Sequence, residues 1–263
     1  TTQGQNITAL EIDGVFDDCQ DMVKTAFLDE KLKPHRNLTS ANSINVARWL
    51  PQSFYYFFAV QELMKRKVNK PFVFSVPSGN FGNICAGFIA RELGLPISHF
   101  IASTNQNDTF PRYMENGIFE PKPSVQTISN AMDVGNPSNF DRIIKLFNQD
   151  LYRLKNICSS YHFSEKETHK AMQELFENTS YIADPHGAIG YLGLQKYCEE
   201  NPDIYGVFLE TAHPVKFLDV VEKAIKTKVN IPPQIEEILD RNPEKTSISS
   251  YRELRNFLID NAV

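Results

Sequence analysis

Residues 78–83, with the sequence SGNFGN, combine residue types that suit an anion-binding loop. They follow an apolar run at 72–76 that reads as a buried strand, and they precede a helix expected to begin near Ile84. Two glycines let the backbone turn its N–H groups outward, and a helix N-terminus adds about half a positive charge. The spacing matches neither a Walker loop nor the Gly-x-Gly-x-x-Gly of dinucleotide folds. We predict a phosphate site here; a tight strand-to-helix turn without a ligand is the alternative.

A second set of polar residues lies where a loop is expected to meet the start of a helix. It could bind an anionic substrate group through helix-end amides and a guanidinium. The alternative is an ordinary capped helix with a structural arginine. The four residues are Asn42, Ser43, Asn45 and Arg48.

Two histidines also lie near predicted strand or helix ends. His186 stands in the sequence DPHGA and His213 in TAHPVKF. Hydrogen-bonded structural histidines are more common than catalytic ones, so neither is assigned to a catalytic set.

The elements around these residues predict an α/β fold with helices covering both faces of parallel or mixed sheets, in three layers. Strands at 72–76 and 99–103 enclose a helix at 84–93, and such a crossover implies parallel strands. A further helix at 187–197 and a strand at 205–209 repeat the pattern downstream. Sites in such sheets lie beyond the carboxyl ends of the strands, where residues 78–83 and 210–213 fall.

Helix signals elsewhere complete the outline. The segment 42–67 has helical periodicity with an interruption expected at Pro51, and its aromatic run at 49–58 suggests core packing. Ser164 with Glu167, and Ser250 with Glu253, are typical of helix N-termini. A breaker is expected at Pro232 and Pro233.

Composition excludes several classes of function. The chain has 263 residues with 27 basic and 32 acidic side chains, a net charge of -5 that disfavours nucleic-acid binding. The longest apolar run, at 54–60, is far below the ~18 residues that span a bilayer. The four cysteines are scattered without metal-ligand spacing, so no metal is predicted. A cytoplasmic protein without a membrane or nucleic-acid partner is expected.

The loop at 78–83 closely resembles the phosphate-binding loop of pyridoxal-phosphate enzymes of fold type II, and its surroundings resemble threonine synthases in particular. Five further stretches occur in that family's order, at 3–18 (QGQNITALEIDGVFDD), 40–48 (SANSINVAR), 102–111 (ASTNQNDTFP), 130–136 (NAMDVGN) and 211–217 (TAHPVKF). The resemblance implies a partial fold of the tryptophan-synthase-β type. It divides the chain into part of a small α/β domain (1–70), part of a large cofactor domain (71–230) and a C-terminal helical extension (231–263).

The resemblance also implies the chemistry and the residues that serve it. The reaction converts O-phospho-L-homoserine and water to L-threonine and phosphate, the last step of threonine biosynthesis. The cofactor is pyridoxal 5'-phosphate, and the substrate's own phosphate requires a second site, assigned to the group at 42–48. Thr211 corresponds to the hydroxyl that faces the pyridine nitrogen, although from the residues alone it could be a helix cap before Pro214. The implied cofactor-binding residues are Ser78, Gly79, Asn80, Phe81, Gly82, Asn83 and Thr211.

One required residue is missing from the sequence. The family's Schiff-base lysine lies in a Phe-Lys-Asp context upstream of the part matched here, and Phe-Lys-Asp does not occur in this chain. We therefore expect the carboxyl-terminal portion of such an enzyme, with no catalytic residue assigned, inactive alone and partnered by the missing N-terminal region. The alternatives are a noncatalytic module that binds phosphate ligands and another fold type II enzyme such as a serine or threonine dehydratase.

Overall fold

The computed structural model describes Gly4 and residues 6–239 and 244–261. Gln3 and Gln5, in the first of the family-like stretches, lie outside the described residues. Contacts divide the chain into two compact units, one running from Ser40 to Val229 and one that joins the residues before Ser40 with those after Val229. The domain boundaries predicted at 70 and 230 remain a prediction.

The described part of the chain contains strands interspersed with single helices and with pairs or triplets of helices. The strands are β1 (Leu10–Ile12), β2 (Phe72–Pro77), β3 (Ile97–Thr104), β4 (Cys158–His162), β5 (Tyr205–Phe208) and β6 (Thr246–Ile248). The helices are α1 (Phe16–Leu28), α2 (Trp49–Lys65), α3 (Gly82–Glu92), α4 (Thr109–Asn116), α5 (Phe140–Leu146), α6 (Leu151–Ile157), α7 (Glu165–Thr179), α8 (Pro185–Glu200), α9 (Leu218–Ile225), α10 (Pro233–Leu239) and α11 (Tyr251–Asp260).

The larger unit contains a four-stranded sheet in the order β4-β3-β2-β5. All three strand pairs are parallel, with Ser75 of β2 opposite Ile101 of β3 and Phe208 of β5. Because parallel neighbours point the same way, the carboxyl ends of β2, β3 and β5 meet at one edge of the sheet. The loop at 78–83 leaves the sheet at this edge.

Helices cover both faces of that sheet, and successive strand residues pack against them on alternate faces. On one face, Phe74 and Phe100 pack against α2 and α3, with Tyr56 fully buried among them. On the other face, Ser75 Oγ lies 2.9 Å from Ser103 Oγ and donates to the carbonyl of Gly190 in α8. Successive residues of a strand point to opposite faces, which accounts for this separation. The predicted α/β fold with a parallel sheet is confirmed.

Helix α2 corrects one prediction. Pro51 does not bend or break the helix, because it occupies the first turn, where a backbone N–H has no intrahelical acceptor. The aromatic run is also only partly core. Trp49 and Tyr56 are buried, whereas Phe54 and Phe58 are exposed, since buried residues recur every three to four positions along the helix.

The smaller unit contains the parallel pair β1 and β6 with α1, α10 and α11. Tyr251, at the start of α11, donates a 2.6 Å hydrogen bond from its hydroxyl to Asp29. Pro233 begins α10 instead of only terminating structure, because proline is well tolerated at a first helical position. Ser250 caps α11 by accepting from the N–H of Glu253, as predicted.

Across the described residues, no helix is long and apolar enough to cross a membrane. In the same part of the chain, no three or more histidine, cysteine, aspartate or glutamate side chains are placed to hold a metal ion.

Candidate functional site

The glycine loop, residues 78–83, connects the carboxyl end of β2 to α3. Its first residue extends the sheet, since the N–H of Ser78 donates to the carbonyl of Ser103 at 2.8 Å. The Ser78 hydroxyl donates to the carbonyl of Val76 at 2.8 Å and is buried. Helix α3 begins at Gly82, two residues before the predicted start, so the loop and the helix N-terminus overlap.

Phe81 sets the direction of the helix entry. It is the N-cap residue and has a left-handed backbone with φ 61° and ψ 10°, which is unusual for a residue with a side chain. Its ring is buried with its centroid 4.5 Å from that of Phe110. Burial of the phenyl ring, worth about 1.5–3 kcal/mol, offsets a backbone cost on the order of 1–2 kcal/mol.

Several backbone N–H groups of the glycine loop and of the helix start have no acceptor among the described residues. Gly82, Asn83 and Ile84 form the first turn of α3, where N–H groups have no intrahelical acceptor. Within the described part of the chain, neither these three nor Gly79 and Phe81 donate from the backbone to another protein group. A helix N-terminus with unpaired N–H groups fits the binding of a phosphate.

Both glycines of the loop also permit close packing. A Cβ on Gly79 would lie 2.7 Å from Cα of Met132, and a Cβ on Gly82 would lie 2.5 Å from Cβ of Ser43. Both distances are shorter than side chains tolerate, so only glycine lets the neighbouring segments approach. The loop is thereby brought against two of the family-like stretches, SANSINVAR and NAMDVGN.

The side chain of Asn80 ties the glycine loop to its neighbours. Its Oδ1 accepts from the backbone N–H of Ser138 at 2.6 Å and from the Ser138 hydroxyl at 2.9 Å. Its Nδ2 donates to Ser43 Oγ at 3.1 Å, and its carbonyl accepts from Asn139 Nδ2 at 2.8 Å. These bonds position the loop. Direct assistance to a phosphate by the Asn80 side chain remains a prediction.

Asn83 is held from the other side by two tyrosines of α2. Its Oδ1 accepts hydrogen bonds from the hydroxyls of Tyr55 and Tyr56, the latter at 2.8 Å. The aromatic helix therefore contributes polar anchors to the site as well as core packing.

The predicted substrate group at 42–48 divides in the structure. Ser43 lies against the glycine loop through its bond to Asn80 and its contact with Gly82. Asn45 caps a short turn by accepting from the N–H of Ala47 at 3.0 Å, and exposed Arg48 donates to the carbonyl of Ala41. Asn42 is exposed and accepts from the Ser43 hydroxyl at 3.1 Å. The local bonds of Asn45 and Arg48 favour the structural alternative for those two residues.

Arg142 is a site residue that sequence reasoning missed. From α5 it donates to the carbonyls of Ser43 and Ile44 at 3.2 and 2.5 Å and to Asn139 Oδ1 at 2.6 Å. Its guanidinium also lies 5.4 Å from the centroid of the Trp49 ring. No local pattern marks this arginine, because the two carbonyls that it binds lie about 100 residues earlier in the chain.

Thr211 follows β5, the strand beside β2. The N–H of Leu209 donates to the carbonyl of Ser75 at 3.0 Å, so the chain leaves β5 at the same edge of the sheet as the glycine loop. Thr211 is exposed, and the cap before Pro214 is supplied by His213, whose Nδ1 accepts from the N–H of Val215 at 3.1 Å. This arrangement leaves the Thr211 hydroxyl free of the capping role.

An acidic pair, with Asp184 fully buried and Glu210 half-buried, lies next to Thr211 at the start of α8. Glu210 Oε1 accepts from the backbone N–H of Asp184 at 3.1 Å, and Asp184 Oδ1 lies 2.6 Å from His186 Nδ1. Burial, with a further contribution from Asp184, raises the pKa of Glu210 to about 9. Although burial alone would raise the pKa of Asp184, hydrogen bonds from His186 and Glu210 lower it. Glu210 is therefore the protonated member of the pair and Asp184 the ionised one.

A second buried polar network lies at the end of β3. Asp133 Oδ1 accepts from Asn105 Nδ2 at 2.8 Å and from the Thr127 hydroxyl at 2.7 Å, and Oδ2 accepts from the N–H of Thr127 at 2.8 Å. Burial raises the pKa of Asp133, against the opposing effect of these bonds. The network fixes the NAMDVGN stretch, in which Met132 packs against Gly79.

Comparison with protein families agrees with this geometry. A family described as pyridoxal-phosphate dependent enzyme matches residues 2–207, and one described as threonine synthase, C-terminal, matches residues 187–257. The resemblance inferred from the six stretches is confirmed.

Individual relatives point the same way. Threonine synthase of Escherichia coli is 45% identical over 92% of this chain and 54% of the relative, and that of Buchnera aphidicola from Acyrthosiphon pisum is 44% identical over 98% and 59%. The crystal structure of threonine synthase from Escherichia coli matches with a TM-score of 0.92 and 42% identity over 98% of this chain and 60% of that chain. The chain thus spans less than two thirds of the length of these relatives.

Two other solved structures place the fold. A PLP-bound threonine synthase from Brucella melitensis matches with a TM-score of 0.82 and 30% identity over 100% of this chain and 61% of that chain. A fungal L-serine ammonia-lyase from Rhizomucor miehei matches with a TM-score of 0.50 and only 13% identity, over 66% of this chain and 56% of that one, which shows a shared fold alone.

Proposed function

Because the chain belongs to the family of pyridoxal-phosphate dependent enzymes, we propose that the complete protein carrying it is a threonine synthase. The reaction is the conversion of O-phospho-L-homoserine and water to L-threonine and phosphate. The observation that carries this proposal is the position of the unpaired N–H groups of the glycine loop. They lie at the start of helix α3, next to the stretches SANSINVAR and NAMDVGN. Identities of 44–45% to threonine synthases support the choice of substrate.

The residues of the glycine loop fit the phosphate of pyridoxal phosphate. The unpaired N–H groups of Gly79 and residues 81–84 supply donors without a counter-charge, and a phosphate at a helix N-terminus is favoured by the helix dipole. Bound there, the cofactor supplies an electron sink for carbanion charge at the substrate. The protein's part is to fix the phosphate, to orient the ring and to keep bulk water from the reacting atoms.

Thr211 is proposed to face the pyridine nitrogen of the cofactor. Its position on the strand next to β2, beyond the same edge of the sheet, supports this role. A hydroxyl can donate to an unprotonated ring nitrogen but cannot stabilise a protonated one as a carboxylate does. Glu210, the neighbouring acid, is held protonated against Asp184 and so adds no negative charge beside Thr211.

Ser43 is the member of the predicted substrate group best placed to meet the substrate, because it touches both Asn80 and Gly82 of the glycine loop. Asn42 adjoins it. We propose that the phosphate of O-phospho-L-homoserine binds on this side of the loop, with Arg142 holding residues 43–44 in place through their carbonyls.

The Schiff-base lysine is proposed to come from a region of the complete protein outside this chain. A family-like Phe-Lys-Asp segment is absent from the 263 residues, and Lys216 stands in the different context PVKF. The N-terminal region of the same protein is accordingly the proposed partner, and a cytoplasmic location is part of the proposal. A dehydratase is not favoured, because the L-serine ammonia-lyase match is only 13% identical.

An activity assay tests this proposal. Purified complete protein, loaded with pyridoxal phosphate, is incubated with O-phospho-L-homoserine, and L-threonine and inorganic phosphate are measured separately. The expected result is equal amounts of both products from the complete protein and neither product from the 263-residue chain. Phosphate release without threonine, or deamination of L-serine at a higher kcat/KM, would contradict the assignment.

A further inference from the structure

His186 combines a well-fixed ring with an unused polar atom. The residue is 4% exposed, and its Nε2 is buried without a hydrogen-bond partner among the residues that the structure describes. Its Nδ1 lies 2.6 Å from Asp184 Oδ1, and its backbone N–H donates to the same oxygen at 2.6 Å. A buried polar atom without a partner costs on the order of 1–3 kcal/mol, so its retention calls for an explanation.

The other two apparently unpaired atoms of this cluster can form a hydrogen bond with each other. In the described part of the chain, Asp184 Oδ2 and Glu210 Oε2 are both buried atoms without a hydrogen-bond partner. With Glu210 protonated, as its raised pKa of about 9 indicates, its O–H can donate to Asp184. That bond fixes the Asp184 carboxylate, which in turn fixes the ring of His186. Only Nε2 of the histidine is then left without a protein partner in this cluster.

Helix periodicity places the His186 side chain at the ligand edge of the sheet. Gly190, four residues later, is close enough to β2 that a Cβ there would lie 3.3 Å from Pro77, the last residue of that strand. Gly193 packs in the same way on Ser75 and Ser103. Residues four and seven apart share a helix face, and one turn spans 5.4 Å. His186 therefore lies on the sheet-facing side, one turn beyond the end of β2.

Contacts around the ring agree with this position. Phe217, from the TAHPVKF stretch, lies with its ring centroid 4.9 Å from that of His186. Ile189, on the next turn of α8, belongs to the same apolar cluster as Met132, the residue against which Gly79 packs. The ring thus lies beside Phe217 of the segment after Thr211, and the next turn of its helix packs with Met132 of the NAMDVGN stretch.

We propose that Nε2 of His186 binds a hydrogen-bond donor, an O–H or N–H group, of the amino acid held at this edge of the sheet. The proposal rests on the proposed function, which supplies an amino acid with an ammonium group and, in its product, a hydroxyl. In the tautomer that donates from Nδ1 to the Asp184 carboxylate, Nε2 is the acceptor of the ring. Asp184 and Glu210 act through His186 and are positioning residues.

Two substitutions separate this role from a structural one. His186→Asn keeps a donor near Nδ1 for Asp184 but removes the group at Nε2, whereas His186→Gln places an amide near Nε2. The probe is L-threonine, titrated into complete protein loaded with pyridoxal phosphate and followed by cofactor absorbance. His186→Asn is expected to weaken L-threonine binding about tenfold, the loss of one hydrogen bond, with a ligand-free unfolding midpoint equal to that of His186→Gln. His186→Gln is expected to retain most of the affinity.

Exposed His35 of the smaller unit supplies the control, His35→Asn, which should change neither quantity. Unchanged affinity in His186→Asn would overturn the proposal. Failure of the wild-type protein to bind either L-threonine or O-phospho-L-homoserine would instead contradict the proposed function. In that case the nitrogen-15 resonance of Nε2 is followed on addition of L-serine, another amino acid with an ammonium group and a hydroxyl. A shift supports the amino-acid contact, and an unchanged resonance overturns it.

Discussion

Asn80 Oδ1 lies 2.6 Å from the backbone nitrogen of Ser138, which joins the glycine loop to the segment before α5. Asn80→Ala would leave that partly buried N–H without an acceptor, at an expected cost of about 1–3 kcal/mol in the free energy of unfolding, measured by urea denaturation. Asn80→Asp is the matched variant. Its carboxylate can still accept from Ser138, so stability should fall less, whereas cofactor affinity should drop because a negative charge stands beside the phosphate site. Equal stability losses in the two variants would contradict this account.

The contact between Gly82 and Ser43 predicts that a second substitution, at Ser43, offsets the effect of a substitution at Gly82. In Gly82→Ala the new Cβ would lie 2.5 Å from Cβ of Ser43, so the two segments must separate. We expect a stability loss of about 1–3 kcal/mol and weaker binding of pyridoxal phosphate, seen by absorbance titration. Adding Ser43→Gly removes the opposing carbon and should restore part of both. A double variant no better than Gly82→Ala would show that the close approach is not the cause.

Glu210 predicts a specific dependence of stability on pH. Between pH 4.5 and about 9 the unfolded chain has released this proton and the folded chain retains it, because burial raises the folded pKa to about 9. The contribution of Glu210 to stability is therefore fully present at low pH and is lost as pH rises through that window.

Glu210→Gln removes this titration but keeps a donor for Asp184. The stability of the wild type relative to Glu210→Gln should fall between pH 5 and pH 8 in urea denaturation of cofactor-free protein. Tyr181 and Asp184 face the Glu210 carboxyl, His186 faces Asp184, and all three are unchanged in both proteins. Exposed Glu199→Gln serves as the control. A difference that stays constant over this range would contradict the assigned protonation.

Thr211→Val tests the proposed partner of the pyridine nitrogen. Valine has a similar shape and Thr211 is exposed, so the fold should be retained. The lost hydrogen bond should weaken cofactor binding by roughly 0.5–1.5 kcal/mol, or shift the absorbance maximum of bound cofactor. Measurement of both in the complete protein, with circular dichroism as the control for folding, decides the role. Affinity and spectrum identical to those of wild type would refute it.

Local sequence predicted the parallel sheet and the position of the glycine loop because both depend on short-range patterns. Three signals follow one another directly in the sequence: the apolar run of β2, the two glycines and the helix pattern of α3. Crossover topology makes β5 parallel to β2, so the chain after β5 leaves the sheet at the same edge as the glycine loop. The capping box at Ser164 and Glu167 was equally readable, and its reciprocal bonds are present.

Features that depend on distant partners could not be read in this way. Arg142 reaches residues 43–44, and the acidic pair joins Asp184 to Glu210, 26 residues apart. Strand β4 was missed because its run, CSSYH, lacks an apolar pattern; it pairs with β3 at the sheet edge. The left-handed backbone of Phe81 could not be predicted from the sequence either, since it depends on packing against Phe110 and not on residue type.

A crystal structure of the complete protein with pyridoxal phosphate tests the central claim most directly. The account predicts phosphate oxygens within about 3 Å of backbone nitrogens in the glycine loop and the first turn of α3, at Gly79 or residues 81–84. It also predicts the pyridine nitrogen near the hydroxyl of Thr211. A cofactor phosphate bound away from the glycine loop, with these N–H groups facing protein or solvent, would contradict it.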